Sequence, residues 1–391
     1  MKRKIFVAEL IQNAFPHAEI NAGILTILDR YFYTCEKSII ADSRHVKAIT
    51  SIQPLADWEK LPIQVTGFQA KYLLYLDLVM CMRVVRAYFN LQSQDVLVIL
   101  GILPLSHIVL TFLNKIGRKH IFVCLHGEME ALLPRTKIGL TRYYYRFTQF
   151  LFKISSGLTY LILGESVYAN IKFLFGKETK YLIIDQPYLW SSEQVVSNNE
   201  VENKGEVIKL GIVGRFNNSK NVQECFKFIK GIKPLIEAGK IEIYIIGKVD
   251  IHIEEDIREL LTFYSSSPLS PEDFMAYIQK QNFILSFTDR SYYRATPSGV
   301  FFDCIKYSKP IFGLKNDYLC HYYNKYGAFG YLYDDVSEMI NALQQNQIQC
   351  RRDFDSTYEL LRSRTSVSAI YKIMASKFDE IGLAPDPLKE Y

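Results

Sequence analysis

The sequence predicts an α/β protein of two domains, each built on a parallel sheet with helices on both faces. Three observations carry this reading. Runs that are apolar throughout, such as Val96 to Leu100, Ile121 to Leu125 and Tyr160 to Leu163, alternate with segments of helical period. Strands without polar alternation are those buried on both faces of a parallel sheet. The stretch Ser191 to Glu206 is polar and has no apolar period, and a new alternation starts at Val207, as expected of a domain linker. Finally, Phe283 to Leu314 reads as one strand–loop–helix–strand unit. FILSF is a buried strand, Ser298 caps a helix opening on Gly299, Val300 and Phe301, and Lys309-Pro310 stops it before the strand at Ile311-Phe312.

Taken in order, Ile5 to Ala8 forms the first strand. A loop with Pro16, His17 and Glu19 follows, and Asn21-Ala22-Gly23 leads into the helical period of Ile24, Ile27, Leu28 and Tyr31. The opening KRKIFVAEL carries the positive charges of a leader, but Glu9 cuts its apolar run, which favours a strand. The window Val96 to Leu113 holds eighteen mostly apolar residues. As a single helix it would be about 27 Å long, barely a membrane span. Gly101, Pro104, Ser106 and His107 in its middle favour a buried strand, a turn and the start of an apolar helix. Tyr160 to Leu163 and Tyr181 to Ile184 are two further strands. Beyond the linker, KLGIVGRF leads to a helix expected to run to Glu237 and stop at Ala238-Gly239. Ser270-Pro271-Glu272-Asp273 opens another, with Ser as cap, Pro in the first turn and acids behind it. Ser366 to Ile381 is helical in period. No repeat of 20 to 50 residues is present, which excludes a solenoid.

At 391 residues and 49% hydrophobic composition the chain can fill two cores, and extensive disorder is excluded. Seven cysteines without a C-x-x-C pair fit reduced thiols in the cytoplasm. Residues 1–190 carry 22 Lys+Arg against 14 Asp+Glu, net +8, and residues 191–391 carry 24 against 27, net −3. A basic first half suggests an anionic partner. No nucleic-acid module pattern is present, so the expected partners are an anionic membrane surface or a lipid-diphosphate acceptor, with no nucleic acid. Thr141 to Ile154, TRYYYRFTQFLFKI, sets Arg142, Arg146 and Lys153 on one helical stripe and Tyr143, Phe147, Phe150 and Ile154 on another. Two readings stand: an interfacial helix on anionic lipid, or a helix packing its aromatics on the sheet and exposing its cations. No H-E-x-x-H, Cys/His set or D-x-D triplet occurs, so no metal site is expected.

Chemistry-bearing residues gather at strand ends. The helix that Ser298 opens presents orphan N–H groups and a positive dipole end, and Asp303 stands five residues in. Upstream, LGIVGRFNNSKN ends a strand at Gly214, places Arg215 next and puts Lys220 at the start of a helix. A helix N-terminus contributes only about 0.3–1 kcal/mol at an exposed site, so such cations must provide most of the hold on an anion. Gly247 ends the next strand, where close backbone approach to a ligand favours glycine. In the first half, IFVCL runs into His126-Gly127-Glu128. Here His126 can orient a hydroxyl and Glu128 can take its proton, unless the histidine is an ordinary buried one.

The run SGV…D…K-P-I resembles the donor-site segment of GT-B glycosyltransferases, particularly the family-4 type. The resemblance implies two Rossmann-like domains whose parallel sheets face a central cleft. It assigns residues 1–190 to acceptor binding, 191–206 to the linker, 207–365 to the nucleotide-sugar donor, and 366–391 to a helix crossing back to the first domain. Gly214, Arg215 and Lys220 would hold the donor diphosphate and the segment SSSPL, with Pro268 and Leu269, would read the base. Thr296, Ser298, Gly299, Val300 and Asp303 would complete the donor site with Gly247. His126, Glu128, Arg215 and Lys220 form the expected catalytic set. The donor is a nucleotide-diphosphate sugar, with no further cofactor and no metal, and the acceptor a glycan or lipid-diphosphate-linked glycan in surface polysaccharide assembly. The expected place is the cytoplasm, peripheral on the inner face of the membrane. The sequence departs from the family's Glu-x7-Glu pattern: Asp303 stands at the second acid and Ala295 eight positions earlier. That leaves the stereochemical course open, and keeps a nucleotide-sugar epimerase or hydrolase, or a non-catalytic scaffold, as alternatives.

Overall fold

A computed structural model describes residues 2–13, 17–65, 72–133, 140–190, 207–288, 294–348 and 354–384. The expected linker, 191–206, lies outside the described residues. Among the described residues thirteen strands form two all-parallel sheets. In chain order the first sheet has β1 (Lys4–Ala8), β2 (Glu36–Asp42), β3 (Trp58–Ile63), β4 (Val96–Ile99), β5 (His120–Leu125), β6 (Leu158–Leu163) and β7 (Lys180–Ile184), arranged β3-β2-β1-β4-β5-β6-β7. The second has β8 (Ile208–Val213), β9 (Ile241–Lys248), β10 (Phe263–Ser265), β11 (Phe283–Ser286), β12 (Ile311–Leu314) and β13 (Gly330–Tyr333), arranged β10-β9-β8-β11-β12-β13. Both are doubly wound. The order reverses between β1 and β4 in one and between β8 and β11 in the other, and open sheets bind ligands at the carboxyl edge of such a reversal.

The continuous apolar runs became the central strands: β4, β5 and β6 are buried almost throughout. β2 is different, because it carries charge inward. Lys37 on β2 is buried and reaches Asp29 at 2.6 Å, and the same carboxylate oxygen accepts from the Trp58 indole at 3.0 Å. That shared carboxylate ties the helix Ala18–Tyr31 to β2 and β3. A buried ammonium is tolerated because it is paired and hydrogen-bonded.

The chain clusters into two compact units. One is Met1–Leu189 with Ala295–Pro297 and Arg364–Tyr391; the other is Trp190–Arg294 with Ser298–Ser363. The last helix, Val367–Glu380, lies in the first unit. Its Phe378 is fully buried, with ring centroids 4.9 Å from Tyr31, 5.3 Å from Phe32 and 5.2 Å from Phe122, and the Tyr31 hydroxyl donates to Asp379 at 2.5 Å. In the second unit Ile212, Phe228, Ile243 and Phe312 are buried in one core cluster, each worth about 1.5–3 kcal/mol of burial. That burial fixes the strand ends on which the polar residues stand.

Two local expectations change and one, for Val96 to Leu113, stands. The helix after β8 is two pieces, Val222–Gly231 and Lys233–Glu237, broken at Ile232 ahead of Pro234. Val96 to Leu113 is β4, a loop and the helix Pro104–Gly117 with proline in its first turn, and no described helix is long and apolar enough to cross a membrane. The segment after residue 140 is not one helix but Leu140–Arg146 followed by a 3-10 turn, Gln149–Lys153. Tyr145, Leu151 and Phe152 point inward while Tyr143, Phe147 and Phe150 are exposed, so these three do not pack on the sheet.

Candidate functional site

In the second unit the polar residues converge at the carboxyl end of β8. Gly214 has φ +87, which a side chain would resist, and the chain turns there into a short 3-10 turn, Asn218–Lys220. The Lys220 amine folds back and donates to the Val213 carbonyl at 3.1 Å. A Cβ placed on Gly214 would lie 3.8 Å from both the Lys220 Nζ and a methyl of Val300. The lysine head, the glycine turn and the start of the helix Gly299–Tyr307 therefore meet at one point. Ser298 caps that helix, its hydroxyl accepting from the Phe301 amide at 3.4 Å, and Gly299 opens on empty space. Burial pushes the Lys220 ammonium down to about 8, and the carboxylate of Asp303 partly offsets this.

Arg215 points elsewhere. It is exposed and ion-paired through Nε with Asp250, whose other oxygen takes Lys248 Nζ at 2.9 Å. These two cations, Arg215 first, hold the Asp250 carboxyl below its usual range. Gly247 has φ +146, and a Cβ there would fall 2.5 Å from the Gly214 carbonyl oxygen. The close approach that demands glycine here is between two backbone segments. Pro268 and Leu269 sit on the loop after β10, an edge strand two positions from β8. The structure brings Gly214, Lys220, Val300 and Asp303 together, while the Arg215 side chain turns to Asp250 and Pro268 and Leu269 stand on the loop after the edge strand.

In the first unit, His126 follows β5 and precedes a 3-10 turn, Gly127–Leu132, which contains Glu128. Its ring is buried and stacks on His17, centroids 4.7 Å apart and 22° between planes. Burial, reinforced by His17, pushes His126 down to about 3, against a hydrogen bond to the Leu100 backbone. A neutral imidazole is therefore what this position offers at pH 7. Thr296 belongs to this unit, 3.5 Å from where a Cβ on Gly127 would stand. Beside it, the Ala295 amide donates to Glu130 at 2.6 Å.

The sequence reading missed four residues around that histidine. Glu9, at the end of β1, accepts from the Ile11 and Gln12 amides at 2.9 and 3.1 Å and from Asn21 Nδ2 at 3.1 Å. Asn21 also meets His45 Nε2 at 2.9 Å, with both residues buried. His17 precedes the helix Ala18–Tyr31 with φ +63. Burial lowers its pKa, with Glu9 opposing and His45 adding to the effect. The available signal was a carboxylate directly after an apolar strand beside the sheet's reversal. Among the described residues no group of three or more His, Cys, Asp or Glu side chains could hold a metal ion.

No family profile matches the chain, and no curated protein matches it in sequence. Solved structures do match. Sucrose-phosphate synthase from Thermosynechococcus elongatus superposes with TM-score 0.65 at 11% identity over 97% of this chain and 99% of that one. The chain has the GT-B fold. Two further structures share it over nearly the whole of both chains. WaaG, a glycosyltransferase involved in lipopolysaccharide biosynthesis, matches with TM-score 0.60 at 10% identity, covering 96% of this chain and 99% of that one. HepE from Anabaena, solved with UDP and glucose, matches with TM-score 0.61 at 13% identity, covering 97% and 100%. Within this GT-B chain Glu9 and Gly214 follow strands at the reversal of their sheets, and His126 follows the strand next to it.

Proposed function

We propose that this protein is a glycosyltransferase that moves a sugar from a nucleoside-diphosphate donor to a glycan or lipid-linked acceptor. The observation that carries the reading is Lys220. Its enclosed amine, held down to about 8, faces a glycine turn and a capped helix N-terminus with Asp303 beside it. A docked diphosphate would neutralise that ammonium, and Asp303 would reach sugar hydroxyls. Arg215 would leave Asp250 to join the leaving diphosphate, where fixed charge matters most. HepE, of the same fold, was solved with UDP and glucose, which favours a nucleotide sugar as donor here. The donor is substrate, and the reading asks for no resident cofactor or metal.

The first unit would take the acceptor, with neutral His126 orienting a hydroxyl and Glu128 removing its proton. The net charge of +8 in residues 1–190 suits a lipid-diphosphate acceptor in surface polysaccharide assembly, and a cytoplasmic protein peripheral on the inner face of an anionic membrane. Ala295 in place of an acid favours one second reading, a scaffold that retains the fold without catalysis. A thermal-shift screen across nucleoside diphosphates separates the two, because a ligand that binds the native state raises the melting temperature with concentration. A shift with one nucleotide, lost in Lys220→Met, supports the transferase; no shift with any of them overturns it.

A further inference from the structure

We propose that one face of the first unit, made by the helices Leu73–Asn90 and Pro104–Gly117 with the segment around Tyr143 to Lys153, docks on an anionic lipid bilayer. This rests on the membrane reading above and is independent of donor chemistry. The helix Leu73–Asn90 is apolar on two sides. Leu73, Met80, Val84 and Tyr88 face the protein. On the opposite side Leu74, Leu78, Met82 and Phe89 are 69%, 53%, 59% and 68% exposed. A surface helix ordinarily shows polar residues there, and the only charge in this outer row is Arg86.

The neighbouring elements extend the patch. The Asp77 carboxylate caps the start of Pro104–Gly117 through the Leu105 and Ser106 amides at 2.6 and 2.9 Å. At the other end the Tyr88 hydroxyl donates to the Leu113 carbonyl at 2.9 Å. The two helices therefore run side by side in one direction, and Phe112 and Ile116, the latter 87% exposed, lie on the second helix toward the end that carries Phe89 on the first. Tyr144 donates to the same Asp77 at 2.6 Å and brings exposed Tyr143, Phe147 and Phe150 to the opposite end. Single exposed apolar residues are ordinary, but a run across three adjacent elements marks an interaction surface.

Charge selects the occupant. The only carboxylate in these elements is Asp77, buried beneath its capping bonds. Arg86, Lys115, Arg118 and Lys153 are exposed around the apolar residues. Two copies meeting on this face would set cation against cation. The centre of a protein interface disfavours lysine. A bilayer with acidic headgroups accepts both features, taking the apolar row into its acyl boundary while tyrosines and cations stay at headgroup level.

The test is flotation of the full chain with phosphatidylglycerol-containing and with pure phosphatidylcholine vesicles. Binding is expected only with phosphatidylglycerol, weakened but not abolished by salt, because the apolar contribution is unscreened. Leu78→Glu/Met82→Glu should lower the partition coefficient about a hundredfold, and Arg86→Glu/Lys115→Glu about tenfold. UDP calorimetry on each variant reports whether the second unit is intact and tests the donor reading separately. Met82→Trp leaves the apolar row in place, and its added emission should shift to the blue on phosphatidylglycerol vesicles alone. No flotation, flotation unchanged by Leu78→Glu/Met82→Glu, or dimerisation without flotation would each overturn the proposal, the last assigning the face to a second copy.

Discussion

Replacing Lys220 by methionine should separate two effects that ordinarily travel together. Lowering the ammonium from 10.5 to about 8 costs the folded protein about 3 kcal/mol. The unfolded chain binds the extra proton between those two values, so the cost is full below pH 8 and fades as pH rises toward 10.5. Lys220→Met removes that cost and should raise the melting temperature at pH 7 without ligand. It should also weaken nucleoside-diphosphate binding by a few kcal/mol, the scale of a lost charge-assisted contact. A docked diphosphate should reverse the depression, since one opposite charge at 4 Å is worth about 4 kcal/mol at an effective dielectric of 20. At pH 8 roughly half the amines lack a proton and a terminal phosphate is already ionised, so binding should take up about half a proton. The assay is titration calorimetry at pH 8 in two buffers of different ionisation heat, whose apparent enthalpies should differ by about half that difference. Binding without proton uptake in the unmodified protein would refute the reasoning, as would the same uptake in Lys220→Met.

Three further outcomes are expected. His126→Ala or Glu128→Gln should lower turnover and leave nucleotide affinity nearly unchanged, and wild-type turnover in either would remove that residue from the chemistry. His107 and His126 are both buried and held down to about 3. Below pH 6.5 the unfolded chain gains protons the native state refuses, so stability is complete above that pH and falls by about 2 kcal/mol per histidine from pH 7 to 5; a urea midpoint unchanged over that range would contradict it. Gly247→Ala should destabilise by about 1–3 kcal/mol through its positive φ, and by more through the clash with the Gly214 carbonyl; an unchanged melting temperature would show that the turn is not packed as described.

What the sequence disclosed and what it hid follow from one distinction. A strand buried on both faces must be apolar nearly throughout, so β4, β5 and β6 announce themselves without any knowledge of their neighbours. β2 does not, because its Lys37 is made tolerable only by Asp29 and Trp58, eight and twenty-one residues away. β10 and β13, three and four residues long, offer too little pattern. The same holds for the polar groups. Gly214, Lys220, Ser298 and Asp303 fall within local strand–turn–helix grammar and can be read in place. Glu9, Asn21 and His45 become a group only when three separate segments return to one sheet edge. In the linear chain Glu9 shows only as the break in an apolar run. The ion pair of Arg215 with Asp250 was equally invisible, since its partner lies at the end of the next strand.

The position of Val367–Glu380 has a consequence for synthesis. Residues 4–184 supply every strand of the first sheet, yet Phe378 and Asp379, which close over Tyr31, Phe32 and Phe122, leave the ribosome only after the second unit. The first unit is thus begun before the second and completed after it, with the whole of the second translated in between. At roughly 5–20 residues per second that interval is some ten to forty seconds. During it the apolar surface around Phe32 and Phe122 has no covering helix. A nascent chain stalled before residue 367 should therefore carry a folded second unit and a first unit that chaperones recognise as unfinished.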